Sequence, residues 1–203
     1  MDIFLIRHGE SEADLLHVHE GRADFSLTEK GRKQVHFLGK FFSEKHQVDQ
    51  IYASPLKRAH ETATTLSEYT KVPVTLKEDL MEWNNGVLAG VGYEEAKARF
   101  PEPPGGRKPY QPIEKGESDL QFRNRVEHFF YELIDQHTEQ DSVAVVAHGG
   151  TISQFLKIFY QIPPVSPYAI YTGDTGVHHI RITGTAKITF YLNRQDHLIG
   201  SEF

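Results

Sequence analysis

Four short polar clusters in this chain hold residue types that can do chemistry: Arg7-His8-Gly9-Glu10, Lys57-Arg58, Glu82, and His148-Gly149-Gly150-Thr151. A guanidinium is a fixed positive charge suited to anions, and an imidazole is a competent phosphoryl acceptor near neutral pH. Arg7 and His8 therefore describe an anion site with a nucleophile in it, which Arg58, His148 and the backbone at Gly149 could complete. Glu82 stands beside Trp83, the only tryptophan. A carboxyl packed against apolar groups can deliver a proton near neutral pH, the service a leaving group needs.

These residues meet only if regular elements bring them together. Ile3 to Ile6 is an apolar run that stops at Arg7-His8, as a buried strand does when its carboxyl end reaches a site. Val143 to Ala147 repeats that design, continuous in the way of a central parallel strand, and ends in His148. Between them, Thr28 is an N-cap for a helix running to about Lys45, with Val35, Leu38, Phe41 and Phe42 on one face. Val48 to Ala53 reads as a second strand. Ser54 then caps a helix with Pro55 at its first position, and Leu56, Ala59, Ala63 and Leu66 form its buried stripe.

Further along, Val72 to Leu76 contains a proline and suits a sheet edge. The capping box at Ser118-Asp119-Leu120-Gln121 opens a long amphipathic helix from Phe122 to Ile134. Ile152 to Tyr160 is another apolar helix, and the runs Val177 to Thr183 and Ala186 to Asn193 predict a hairpin turning at Gly184. Strands separated by helices imply right-handed parallel βαβ units, so the carboxyl ends of the parallel strands share one side. The expectation is an α/β fold: a three-layer αβα sandwich around a mostly parallel, mixed central sheet, with residues 1–203 forming one domain. An irregular loop or lid is expected at about 93–116, rich in proline and glycine.

Other polar residues invite simpler readings. His17-x-His19-Glu20 has the composition of a metal cluster, but an i, i+2 pair converges poorly outside extended backbone, so these are read as solvated loop residues and no metal site is expected. Arg107, Lys108 and Lys115 are loop cations that could at most reach the far end of a substrate. Ser11 to Phe25 reads as a loop. His178 and His179 alternate faces of a strand, so at most one could approach a site.

Composition narrows the partners. The formal charge of −6 disfavours nucleic acid, whose phosphate backbone requires a basic stripe. No apolar run approaches the roughly 18 residues of a membrane span. With zero cysteines and no signal-peptide pattern at its start, the chain is expected in the cytoplasm. It carries no signature of a particular oligomeric state.

The ordered motifs Leu5-Ile6-Arg7-His8-Gly9-Glu10-Ser11, Ser54-Pro55-Leu56-Lys57-Arg58-Ala59 with Thr62-Ala63, Glu82 with Gly86 and Gly90, and Val146-Ala147-His148-Gly149-Gly150 together resemble the histidine phosphatase superfamily, the phosphoglycerate-mutase-like clan. Gly21, Arg22 and Asp24, with Leu27-Thr28 and Gly31, are similar to that family's segment after its first motif. The resemblance implies a cofactor-independent phosphomonoesterase acting on a small phosphorylated substrate. His8 would form a phosphohistidine, Arg7, Arg58, His148 and Gly149 would hold the phosphoryl oxygens, and Glu82 would protonate the leaving group.

Asp14 departs from the pattern, because relatives usually carry asparagine there. A carboxylate about 4 Å from a phosphate oxygen would cost on the order of 4 kcal/mol per unit charge at an effective dielectric of about 20. Asp14 is therefore expected to pair with a site cation and tune affinity. Asp14, Gly21 and Arg22 are accordingly candidates for substrate contact. Two rival readings stay open here: a phosphoglycerate mutase, which the compact insert disfavours, and a noncatalytic phosphate-ligand binder, which Asp14 alone favours.

Overall fold

The computed structural model describes residues 1–200. Strands β1 (Asp2–Arg7), β2 (Gln50–Ala53), β3 (Val74–Leu76), β4 (Ser142–Ala147), β5 (Val177–Thr183) and β6 (Ala186–Arg194) form one sheet in the order β3-β2-β4-β1-β5-β6. The first four of that order pair parallel; β5 and β6 join antiparallel as the predicted hairpin. The helices are α1 (Glu12–Leu16), α2 (Glu29–Lys45), α3 (Lys57–Thr70), α4 (Tyr93–Arg99), α5 (Asp119–Gln136) and α6 (Gly149–Phe159).

Strand alternation builds the layers. Ile3 and Leu5 of β1 with Val143 and Val145 of β4 pack against Phe122, Val126 and Phe129 of α5 and Ile152, Phe155 and Leu156 of α6. Phe4, Ile6, Ala144 and Val146 point the other way, onto Leu38 and Phe42 of α2 and Ala59, Ala63 and Leu66 of α3. A side-chain period of 2 buried on both faces is what a continuous apolar run encodes in a central strand. The expected three-layer αβα sandwich around a mostly parallel sheet is thus the observed fold.

Helix starts follow local chemistry. The Thr28 hydroxyl accepts from the Gly31 N–H at 2.9 Å, and Ser118 and Gln121 form the reciprocal box, at 3.2 and 2.8 Å. At α3 the expectation fails by two residues. The helix begins at Lys57 with Leu56 as N-cap, while the Ser54 hydroxyl accepts from the Leu56 N–H at 3.3 Å and also meets His148. α6 begins earlier than its apolar run, at Gly149, so the glycine N–H groups belong to its free first turn. The stretch read as a loop after Glu10 contains α1.

His178 is fully buried on β5, between the Thr172 hydroxyl at 2.9 Å and the Asn193 N–H at 3.2 Å, and burial drives its pKa down to about 4. His179, on the opposite face of the strand, instead bonds Asp2 at 2.6 Å. Because the unfolded ring titrates near about 6.5, between that pH and about 4 the unfolded chain binds a proton that the fold refuses. Stability therefore rises with pH through this window and is lost as pH falls, by about 1.4 kcal/mol per pH unit for this ring. His8 and His148, also pushed down by burial, act in the same sense. Melting followed by circular dichroism should show Tm dropping between about pH 6.5 and about pH 5, by roughly 2–4 °C for each kcal/mol. A flat Tm across that range would mean that these rings are charged in the fold.

Candidate active site

The parallel pairing of β1, β4 and β2 puts Arg7, His8, Ser54 and His148 together at the carboxyl ends of these strands, where the first turn of α3 delivers Arg58. Four of the sequence candidates converge there. His8, Arg58 and His148 are buried, at 1%, 0% and 0% exposure. The His8 and His148 rings lie 5.1 Å apart at 60°. A cavity of about 410 Å³ opens onto the group, lined by Arg7, His8, Glu20, Glu82, Gly149-Gly150 and the segment 169–172. A larger cavity of about 690 Å³ lies against α4 beside His19 and Tyr93 and touches none of the four clusters.

Hydrogen bonding selects the reactive nitrogen of His8. Nδ1 donates to the Gly9 carbonyl at 2.7 Å, which leaves Nε2 as the lone-pair nitrogen. Arg58 Nε donates to it at 3.3 Å. Burial, then the charges of Arg58 and Arg7, push the His8 pKa well below its ordinary value, so the ring is neutral at physiological pH. His148 is held neutral the same way, by burial first and then by Arg58, His8 and Arg7. Its Nε2 meets the Ser54 hydroxyl at 2.8 Å, and its Nδ1 is buried without a partner. Arg7 spends Nη1 on the Thr172 carbonyl at 2.9 Å, and its Nε is likewise unpartnered.

Arg58 is held by the segment after the first motif: Nη1 donates to the Ala23 carbonyl at 2.9 Å and Nη2 to that of Gly21 at 2.8 Å. Gly21 takes φ +47°, and a Cβ there would come 1.9 Å from Asn85 Oδ1, so only glycine presents that carbonyl. Neither Gly21 nor Arg22 lines the cavity. Arg22 donates to the Glu82 carbonyl at 3.4 Å, a bond that Arg125 repeats at 2.9 Å. Glu82 does line it, but its surroundings are polar rather than the apolar wall suggested by the adjacent tryptophan. Its carboxylate accepts the N–H of Trp83 at 2.8 Å and of Gly150 at 2.9 Å, while the indole turns to the Glu117 carbonyl. A Cβ at Gly150 would sit 2.5 Å from Glu82 Oε1, so the glycine makes room for the acid.

Asp14 stands outside the cavity lining, 3.8 Å from Arg7 Nη2, and its other oxygen accepts from the Ser11 N–H at 2.9 Å. Two acids escaped the sequence reading. Asp174 lies 3.3 Å from Arg7 Nη2. Glu20, weighed only as a metal ligand beside His19, turns instead to Arg58 Nε at 3.0 Å and His8 Nε2 at 3.7 Å. Topology carried a signal for Asp174: β5 runs antiparallel to β1, so the turn before Val177 must sit beside the end of β1. For Glu20 no local pattern distinguished it. None of Arg107, Lys108 and Lys115 lines the cavity.

Elsewhere, Asp79, His128 and Glu132 bring ligand atoms within 4.8 Å of one another, but Lys77 already holds Glu132 at 2.6 Å. A cation there would have to displace that ammonium.

A family model described as histidine phosphatase superfamily, branch 1, matches residues 3–194. Phosphoserine phosphatase 1 of Hydrogenobacter thermophilus is 34% identical over 149 residues, covering 72% of this chain and 70% of that protein. Phosphoglycerate mutase-like protein 4 of Arabidopsis thaliana is 30% identical over 165 residues, covering 74% and 67%. Among solved structures, the alpha-ribazole phosphatase of Shigella flexneri superposes with a TM-score of 0.85 at 24% identity, covering 96% of this chain and 97% of the other.

Proposed function

The chain belongs to the histidine phosphatase superfamily, and from that premise we propose that it is a metal-independent phosphomonoesterase of small phosphorylated metabolites, working through a phosphohistidine on His8. The observation that carries this reading is the pair of buried, unpartnered nitrogens, Arg7 Nε and His148 Nδ1, beside a neutral imidazole whose Nε2 carries the lone pair and accepts from Arg58 Nε. A bound phosphoryl oxygen supplies each with the partner that burial otherwise denies it. With the Ser54 hydroxyl as donor to His148 Nε2, that ring carries its proton on the unpartnered Nδ1 and can offer it to the anion.

In the first step His8 Nε2 attacks phosphorus and the ester P–O bond breaks. Arg7, Arg58, His148 and the Gly149 backbone stabilise the equatorial oxygens. Glu82 gives its proton to the departing alcohol oxygen. In the second step it takes a proton from the attacking water, the N–P bond breaks, and inorganic phosphate leaves with the acid reset. Asp14, Gly21 and Arg22 act one contact away from substrate. Asp14 and Asp174 fix Arg7, Gly21 holds Arg58, and Arg22 helps to anchor the Glu82 backbone. In this reading the protein works in the cytoplasm, and the segment at 93–116, none of which lines the cavity, belongs to the same domain.

Purified protein should release phosphate from a chromogenic aryl phosphate between about pH 5.5 and about pH 7, unaffected by EDTA. No turnover, or turnover abolished by chelation, would overturn the reading. Activity confined to phosphoglycerate and dependent on bisphosphoglycerate would replace it with a mutase.

A further inference from the structure

Glu20 stands where a reacting phosphoryl group would stand. Its Oε1 is 3.0 Å from Arg58 Nε, the one nitrogen of that guanidinium not committed to a carbonyl, and its Oε2 is 3.7 Å from His8 Nε2. The Ser11 hydroxyl donates to Oε1 at 2.5 Å and fixes the carboxylate in place. An electrophile poised for attack sits about 3–3.5 Å from the nucleophile, so the oxygens of a phosphoryl group on His8 would claim the space and the Arg58 ion pair that Glu20 now holds.

Resting on the anion site of the proposed function, we propose that Glu20 is an internal anion that occupies the phosphoryl pocket of the resting protein and yields it by taking up a proton, so that anion binding is coupled to protonation. An ionised Glu20 and a dianion cannot share one guanidinium N–H and one desolvated cavity. The neutral acid gives up its ion pair, releases Arg58 Nε to the incoming oxygen and draws its proton from solvent.

The surroundings favour this exchange. Burial pushes the Glu20 carboxyl up and Asp14 on α1 adds to it, against the opposing pull of Arg58 on α3, the Ser11 hydrogen bond and Arg7 at the end of β1. Neutral His8 faces it, and Glu82 lines the same cavity. The sign follows: anion affinity rises as pH falls, because the competitor is discharged, and weakens as pH rises through the Glu20 pKa.

Sulfate is the probe, since it stays a dianion across the working range and any pH dependence of its binding belongs to the protein. Isothermal titration of wild type should show affinity falling about ten-fold per pH unit on the alkaline side, with up to about one proton taken up per sulfate, read from buffers of different ionisation enthalpy. Glu20→Gln, an isostere that keeps the Ser11 bond, should bind sulfate at least about ten-fold tighter at about pH 8 and lose most of the proton uptake. A crystal structure of the sulfate complex should place a sulfate oxygen on Arg58 Nε and Glu20 elsewhere. E20Q binding no tighter than wild type, or with the same uptake, would overturn the proposal. Should E20Q fail to fold, wild type still decides, because sulfate binding without proton uptake near about pH 7 is incompatible with it. Sulfate ignored by both proteins would remove the anion pocket and the proposal together. Sulfate bound as expected by a protein that hydrolyses no ester would overturn the proposed function and leave the role of Glu20 standing.

Discussion

His8→Ala is expected to lower kcat on any phosphomonoester by at least about 10⁴-fold, with no detectable phosphoenzyme. The size follows from the kind of group removed. Arg7, His148 and Glu82 can still bind and polarise a phosphate, but nothing within the cavity replaces a neutral nitrogen with its lone pair aimed at phosphorus. Glu20 is the nearest other candidate, 3.0 Å from Arg58 and 3.7 Å from His8 Nε2, and a carboxylate in that ion pair is a poor substitute. The substitution should leave sulfate binding intact, because Arg58 loses only the hydrogen bond from its Nε to the ring. Binding retained while turnover disappears separates a lost nucleophile from a collapsed pocket. Rapid-quench detection of acid-labile phosphate on the wild type, absent from the variant, completes the test. A variant retaining more than about 1% of wild-type kcat would remove His8 from the chemistry.

What the sequence revealed and what it hid divide along the locality of the forces. β1 and β4 were legible because burial on both faces writes a continuous apolar run, and the residues that follow such a run are delivered to the strand end whatever the distant packing does. Arg58 was legible because a helix start next to a strand end has few places to go. The start of α3 was misplaced for a tertiary reason. Ser54 looks like an N-cap, yet its hydroxyl is used by His148, ninety-four positions away, and by the Leu56 N–H, so the helix opens later. Glu20 and Asp174 were invisible in their own neighbourhoods for the same kind of reason. Each is defined by an arginine contributed from elsewhere in the chain, Arg58 for one and Arg7 for the other. The pairing inferred for Asp14 was within reach because its argument was electrostatic: a carboxylate close to an anion site must find a cation, and Arg7 lies at 3.8 Å.

Arg58→Ala should cost both activity and stability, and the way the two losses combine tests the site more sharply than either alone. The guanidinium is wholly buried and each of its nitrogens is engaged: Nη1 on Ala23, Nη2 on Gly21, and Nε between His8 and Glu20. Removing it takes away a donor to the transition-state oxygens, for which a loss of about 10²–10³ in kcat is expected. It also strands two carbonyls and a largely buried carboxylate, which should destabilise the fold by about 3–5 kcal/mol, read as a lower urea midpoint. Arg58→Lys should recover little of either, since one ammonium on a flexible stem cannot span both carbonyls and the His8 nitrogen. The double variant Arg58→Ala with Glu20→Gln then becomes informative. If the stranded charge of Glu20 is a principal cost, neutralising it should return about 1–2 kcal/mol of stability while returning no activity. Stability recovered without catalysis would identify Arg58 as both the counter-ion of a resident carboxylate and the cation awaiting the substrate's phosphate. A lysine variant close to wild type in kcat and urea midpoint would show that neither duty depends on the guanidinium fork.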